Sequence, residues 1–307
     1  MTVTVPPRTP TPPPGLFSRA GRRRLSHRLE YLALVAVAWL LARLGVDRAS
    51  AFMGRAWRLF APLNARQARV EAHLAASFPD WSADQRRAVI GDMWENLGRT
   101  AAETILLPEL LRDPTRFDTS RLAADTFERA RGGAVFVSLH TGNWEIVSVP
   151  LAAHGLDLRA VYRPLRNPAV ETWLAERRRA LYAGGLMPID KTIALKLKSL
   201  AKAGATLAIL ADLKDHHGLV LDFFDRPAQV TTFPALLARR LDLPLFVGRS
   251  IRTQGAHFRL DGRWLEIPKT DEPQADVEAL TRTINAVFEE WIREYPAQWM
   301  WAHRKWL

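Results

Sequence analysis

Cysteine is absent from all 307 residues. That excludes disulfides, thiolate metal sites, S-acylation and a cysteine nucleophile, and it suits a reducing compartment. The glycine loops that cradle phosphates are also missing: no Gly-x-Gly-x-x-Gly comes after a strand-like run, and no loop ends in Gly-Lys-Ser/Thr. There is no His-Glu-x-x-His and no Gly-x-Ser-x-Gly elbow, which disfavours zincin and serine-elbow chemistry. Acidic residues are in deficit, 32 against 43 Lys plus Arg, for a formal net charge of +11. The balance points to an acidic partner: nucleic acid, an anionic membrane surface, or an acidic protein or phosphate-bearing substrate. Tryptophan is plentiful at 11 residues. Trp with Arg suits both lipid headgroups and stacked bases, so composition does not choose between them.

The opening "MTVTVPPRTPTPPPG" has no apolar core before a small-residue cleavage site, so no signal peptide is read there. Residues 1–27 read as a disordered Pro/Arg-rich tail. Residues 28–46, "LEYLALVAVAWLLARLGV" with its leading Arg28, read as a membrane-anchor helix. A span needs roughly 20 apolar residues. This one is short, so it either borrows flanking residues or lies in the interface, and a buried core helix is the bland alternative. Arg19, Arg22, Arg23, Arg24 and Arg28 sit where positive-inside anchoring would hold the N-terminus in the cytoplasm, although a solvated charge run fits them too.

From residue 47 onward the chain reads as one domain, with a helical front over 47–115 and an α/β core over 116–307. Ser82 with Gln85 three residues on predicts a capping box at a helix start. After Arg131 the period changes. "GGAVFVSLH", "LRAVY", "ATLAILAD", "LVLDFF" and "PLFVGRSI" are strand-like, with amphipathic helical stretches between them. The pattern predicts the α/β class: a mixed, largely parallel central sheet flanked by helices. "HFRLDGRWLEI" predicts a hairpin turning at Asp261-Gly262, and a final helix is expected from about Gln274 to Tyr295.

The stretch "FVSLHTGNWEIV" carries the chemistry. Active sites of open α/β sheets gather beyond the carboxyl ends of strands, where His140 falls. Gly142 permits a tight turn, Asn143 is a good N-cap, and Glu145 lies in the first turn of the next helical segment. A carboxylate there can accept one imidazole N–H and leave the other nitrogen basic, ready to take a proton from a hydroxyl. The same spacing also fits a strand-end histidine and a dipole-complementing glutamate. No nucleophile accompanies His140, because Ser138 lies inside the apolar run. Direct attack by an acceptor hydroxyl on an activated acyl group is the reading that needs none.

Other features have plainer readings. "KDHHG" from Lys214 to Gly218 suggests a phosphoesterase, but the aspartates that would complete a two-metal set are missing. Arg177, Arg178 and Arg179 read as one solvated helix face; Arg239-Arg240 reads likewise, or as a contact for an acidic carrier. "WAHRKW" fits a headgroup contact or C-terminal packing equally. A basic nucleic-acid-binding protein fits the charge but not the apolar N-terminal segment, and no RRM, KH or zinc signature appears.

"HTGNWE", "YRPLRNP" and the closing "YPAQWMWAHRKW", with "VEAHLAASFPDWSADQRR", "ENLGRTAAE", "ILAD" and "DFFDRPA" elsewhere in the chain, resemble the bacterial lipid A biosynthesis acyltransferases of the late, lauroyl/myristoyl type. The likeness runs from about Arg28 to the end. It implies His140 as general base, Glu145 as its orienting partner and Arg163 as the group polarising the thioester carbonyl. It further implies Asn143 and Gly142 shaping the turn on the substrate side and Asp212 near the site. The implied donor is an acyl thioester on acyl carrier protein or coenzyme A, and the implied acceptor is a membrane glycolipid. No metal, cofactor or nucleic acid is implied, and the place is the cytoplasmic face of the inner membrane. A lysophospholipid, ornithine-type lipid or mannolipid acceptor, or a non-catalytic lipid-binding homologue, shares the signature. Asp212-Leu213, Phe223-Phe224-Asp225 and Thr231-Thr232-Phe233-Pro234 depart from the family's usual Asp-Gln, Phe-Phe-Gly and Thr-x-x-Gly, which bears on donor or acceptor selectivity.

Overall fold

The computed structural model describes residues 18–189 and 193–307. The expected N-terminal tail lies outside the described residues as far as residue 17. Ser18 caps helix α1 (Arg19–Phe60) by accepting from the Gly21 N–H at 3.0 Å. The Arg-rich stretch is therefore helical, and α1 extends well past residue 46. Gly45, at φ +72°, bends it; that left-handed conformation costs glycine nothing.

Helices α2 (Gln67–Ser77) and α3 (Ala83–Ile105) come next. The Ser82–Gln85 capping box forms in both directions, satisfying two orphan N–H groups at the start of α3. The short α4 (Leu107–Leu110) then leads into the alternating core. This comprises β1 (Phe117–Asp118), α5 (Thr126–Ala130), β2 (Val135–Ser138), α6 (Val149–Ala153), β3 (Leu158–Tyr162), α7 (Pro168–Arg178), β4 (Gly185–Pro188), α8 (Ile193–Lys202) and β5 (Thr206–Leu210). A separate hairpin, β6 (Lys214–Asp222) with β7 (Pro227–Val230), precedes α9 (Phe233–Leu241). The chain closes with β8 (Leu245–Gln254), β9 (His257–Leu265), α10 (Pro273–Glu294) and a tail running to Leu307.

The main sheet has seven strands in the order β1-β9-β8-β2-β5-β3-β4. Only β8 and β9 are antiparallel; the other pairs are parallel. The strand period of two sorts the core into layers. Val135, Val137, Leu207, Ile209 and Val247 face α2, α3, α9 and α10, while Phe136, Leu158, Ala208 and Phe246 face α5 and α6. Burial of β2 on both faces is what a central parallel strand requires.

The late hairpin turns at Gln254–His257, with Gly255 at φ +52°, and not at Asp261-Gly262. Gly262 sits mid-strand opposite Gly248, and a Cβ there would come within 2.5 Å of the Phe246 ring. Its small size serves close packing of an aromatic ring, which reads in sequence like a turn signal.

Candidate active site

Strand register assembles the site. β2 and β5 lie side by side in parallel, with Ser138 opposite Leu210. Two residues beyond each strand end, His140 and Asp212 therefore meet. Asp212 Oδ1 lies 2.7 Å from His140 Nδ1, and Asp212 Oδ2 accepts from the His140 backbone N–H at 3.0 Å. The Trp299 indole N–H adds a third bond to the carboxylate at 2.8 Å. Asp212 is 1 % exposed. Burial opposes its ionisation, but the charge and hydrogen bonds of His140 and the Trp299 donor hold it well below the usual carboxylate range. An ionised carboxylate on Nδ1 fixes the proton there and leaves the Nε2 lone pair available.

The turn behind His140 is carried by α3. Asn96, Thr100 and Glu103 form a buried polar stripe at helical spacing. Asn96 Nδ2 and Thr100 Oγ1 both donate to the Gly142 carbonyl at 2.9 Å, and Glu103 Oε2 accepts from Asn143 Nδ2 at 2.9 Å. Glu103 also receives Arg252 at 2.9 Å and the Ser50 hydroxyl of α1 at 2.7 Å. Gly142 has φ +57°, and a Cβ on it would stand 2.1 Å from the Ser250 carbonyl oxygen. Asn143 Oδ1 caps the Glu145 N–H at 3.1 Å, at the start of a single 3-10 turn from Trp144 to Ile146. The C-terminal tail packs on the other side: Gly142 N donates to the Gln298 carbonyl, and Met300 N to that of His140.

His140 opens onto a cavity of about 570 Å³, within the ~300–1,000 Å³ range of small-molecule sites. Phe136, Val161, Leu174, Leu186, Ile209 and Phe233 give it a mostly apolar wall. Its polar lining includes Arg163, Glu145, Arg178, Tyr162 and Glu171. Arg163 sits immediately after β3, is exposed, and has no hydrogen-bond or ion-pair partner among the described residues. Burial, then the bond to Glu171 at 2.6 Å, pushes the Tyr162 hydroxyl up to about 12.

Three sequence expectations change here. Glu145 does not reach His140. It pairs with Arg178 of α7, whose Nε donates to Oε2 at 2.6 Å, so the partner of the imidazole is Asp212. Strand register, not proximity along the chain, supplies that carboxylate. Gly142, Asn143 and Asp212 all stand behind the cavity wall and do not line it. The arginine runs are not solvated faces. Arg178 holds Glu145, Arg177 stacks over Trp173 at 3.1 Å, and Arg239 donates to Asp276 at 2.7 Å; Arg179 and Arg240 are exposed. In "KDHHG", Lys214 and Asp215 line the cavity while His216 and His217 are exposed.

"WAHRKW" turns out to be packing. Trp299, Trp301 and Trp306 cluster with Phe223 and Phe224 against the back of the dyad. His303 lies 5.8 Å from His140 between ring centroids, and burial, then the charge of His140, pushes it down to about 4. Lys305 is buried over the Phe223 ring at 4.6 Å, and burial lowers it to about 8. Trp299 and Glu103 lie inside "YPAQWMWAHRKW" and "ENLGRTAAE", two of the stretches that carry the resemblance, but neither stretch by itself marks them as site residues. The i, i+4, i+7 polar stripe Asn96–Thr100–Glu103 in an otherwise apolar helix face is the signal that could find Glu103.

The family model described as bacterial lipid A biosynthesis acyltransferase matches residues 19–307. The chain belongs to that family. It is also similar to the phosphatidylinositol mannoside acyltransferase of Mycolicibacterium smegmatis, 25% identical over 183 residues. That match covers 57% of this chain and 57% of the relative, little more than half of either.

Proposed function

We propose that this chain moves a fatty acyl group from a thioester, on acyl carrier protein or coenzyme A, to a hydroxyl of a lipid A precursor. The place of reaction is the cytoplasmic face of the inner membrane. His140, on its Asp212 partner beside an apolar cavity, is the observation that carries the reading. Nε2 takes the proton of the acceptor hydroxyl as its oxygen attacks the thioester carbonyl, and the imidazolium is stabilised by the ionised Asp212. Arg163, unpaired among the described residues at the cavity, supplies charge for the tetrahedral oxyanion. Collapse of the intermediate expels a thiolate, whose conjugate thiol has a pKa near ~8.5, so it leaves without a strong acid. The proton on His140 returns to solvent or to the thiolate, which balances the transfer. The acyl chain occupies the apolar wall. Glu145, neutralised by Arg178, shapes the cavity.

A glycosylated phosphoinositide acceptor is the second reading, favoured by the name of the mycobacterial relative. Both readings are tested by acyl transfer from radiolabelled lauroyl thioester in mixed micelles, with a tetra-acylated, phosphorylated lipid A precursor and a phosphoinositide mannoside offered in parallel. His140→Ala is expected to lose about 10²–10⁴ of the rate on the true acceptor. Equal transfer by wild type and variant would remove the base mechanism. Transfer only to the mannoside would move the assignment to the second reading.

A further inference from the structure

Helix α1 has two faces, and both are apolar. His27, Tyr31, Leu34, Ala38 and Leu41 succeed one another at spacings of four and three and are buried or half-buried along the body. The helix packs there on α3, α4 and α7. Leu25, Leu29, Leu32, Trp39 and Leu40 form a second apolar stripe, each between 45% and 61% exposed. The outward stripe is offset from the buried one by two residues, or ~200° at ~100° per residue, which places it on the opposite side of the helix. The exposed apolar surface continues past the Gly45 bend through Phe52, Leu59 and Phe60. Surfaces of this kind mark a protein or membrane contact.

The body keeps to the helix along its length. At the N-terminal end Asn167 Nδ2 donates to the His27 carbonyl at 2.8 Å and to Glu30 Oε2 at 2.9 Å. Beyond the bend Ser50 is bonded to Glu103 at 2.7 Å. From His27 to Leu41 the packed stripe covers roughly 20 Å of helix at ~1.5 Å per residue. A spanning helix would have to carry α7, Asn167 and Glu30 into ~30 Å of hydrocarbon, where unsatisfied polar and charged groups are costly. A span would also put the Arg22–Arg28 cluster and the catalytic body on opposite sides of the bilayer. We infer that α1 lies in the plane of an anionic membrane interface, outward stripe down, and does not cross the bilayer.

Charge supports that occupant. Arg22, Arg23, Arg24 and Arg28 are exposed in the first turns, and Arg43 stacks on the exposed Trp39 at 4.4 Å, a pairing suited to the headgroup level. Asn167, the tie-point of α1, belongs to the loop that carries Arg163 and Leu165 of the cavity lining, so the lipid surface and the cavity mouth are neighbours. The inferred orientation rests on the membrane-lipid function proposed for the site and deepens it.

The absence of cysteine makes the test direct, since one introduced thiol carries one label. Nitroxide-labelled Leu29→Cys, Leu32→Cys, Ala36→Cys, Leu40→Cys, Phe52→Cys and Phe60→Cys would be bound to vesicles of phosphatidylglycerol and phosphatidylethanolamine. Depth would be read from the ratio of oxygen to nickel-chelate relaxation. All six positions are exposed, so labelling leaves the body's packing intact. The expected result is a uniform shallow depth of about 5–10 Å, with position 36 no deeper than its neighbours. A profile that deepens to the midplane, about 15 Å, near position 36 and rises on both sides would establish a span and overturn the inference. Labels as accessible to the nickel chelate with vesicles as without them would also overturn it, and would assign the face to a protein partner. The functional reading fails separately: a shallow profile with no acyl transfer to either acceptor would leave the topology standing and remove the enzyme assignment.

Discussion

The Asp212 carboxylate accepts from His140 twice and from Trp299 once, inside a pocket where it is 1 % exposed. Glu145, five residues from His140 in the chain, is spent on Arg178. The two carboxylates therefore separate in experiment. Asp212→Asn is expected to cut kcat by about 10²-fold or more, because the acceptor that fixes the imidazole tautomer is gone. Glu145→Gln is expected to keep most of kcat and instead lower Tm, since Arg178 is left half-paired at the cavity wall. Reversal of that order in paired kcat and Tm measurements would return Glu145 to the dyad. His303 gives a pH signature. Its neutral form is favoured by burial, with a folded value near 4 against an ordinary 6.5. Between those limits the unfolded chain binds the extra proton, so stability is full above about pH 6.5 and declines as pH falls toward 4. His303→Asn should flatten that decline in thermal melts run from pH 7 to 4. His140 is legible in the sequence because an apolar strand ends in a polar turn. Its partner is legible only through the resemblance, which sets Asp212 near the site without pairing it to His140, because which strand lies beside β2 is decided by the sheet and not by spacing along the chain.

At the scale of elements, α3 is the beam to which the catalytic turn is fastened. Its stripe of Asn96, Thr100 and Glu103 holds Gly142 and Asn143, and Glu103 also joins Ser50 of α1 and Arg252 of β8. Glu103 is wholly buried. Glu103→Ala should leave Asn143 without its acceptor and Arg252 without its carboxylate, with only the neutral oxygens of Asn96, Thr100 and Gly255 to donate to, at a cost of about 3–5 kcal/mol, or a Tm drop of roughly 5–8 °C. Calorimetry checks this, and a change under about 1 °C, against the several degrees expected, would mean the network is not what fastens the turn. Elements whose signals are local are readable: the Ser82–Gln85 box and the helix ending near Tyr295 are capping and period effects within one segment. The sequence misplaces the hairpin because Asp-Gly is a turn signal only when nothing larger needs the glycine, and Phe246 does. Arg177 and Arg178 mislead for a related reason. A run of arginines gives no hint that α3 offers Arg177 its Ile105 carbonyl and the turn after β2 offers Arg178 its Glu145.

For the molecule as a whole, the inferred orientation of α1 turns part of the formal charge of +11 toward an anionic surface. Arg22, Arg23, Arg24 and Arg28 stand together at one end of that stripe. A basic side chain close to an anionic leaflet contributes about 1 kcal/mol, while the exposed leucines and Trp39 contribute a part that salt does not screen. The two parts are separable. Replacing all four arginines by glutamine should weaken binding to phosphatidylglycerol-containing vesicles by about 10²–10³ at low ionic strength. The wild-type advantage should shrink as the Debye length falls from ~8 Å at physiological salt to ~3 Å at ~1 M. Residual binding of both proteins at that high salt would then report the apolar stripe alone, and Leu32→Glu should abolish it. Flotation across a salt series measures all three. If the arginine variant binds as tightly as wild type at low salt, the positive charge of α1 is not what holds the enzyme to lipid. The acidic partner implied by the composition would then have to be sought at Arg163 and the cavity mouth instead.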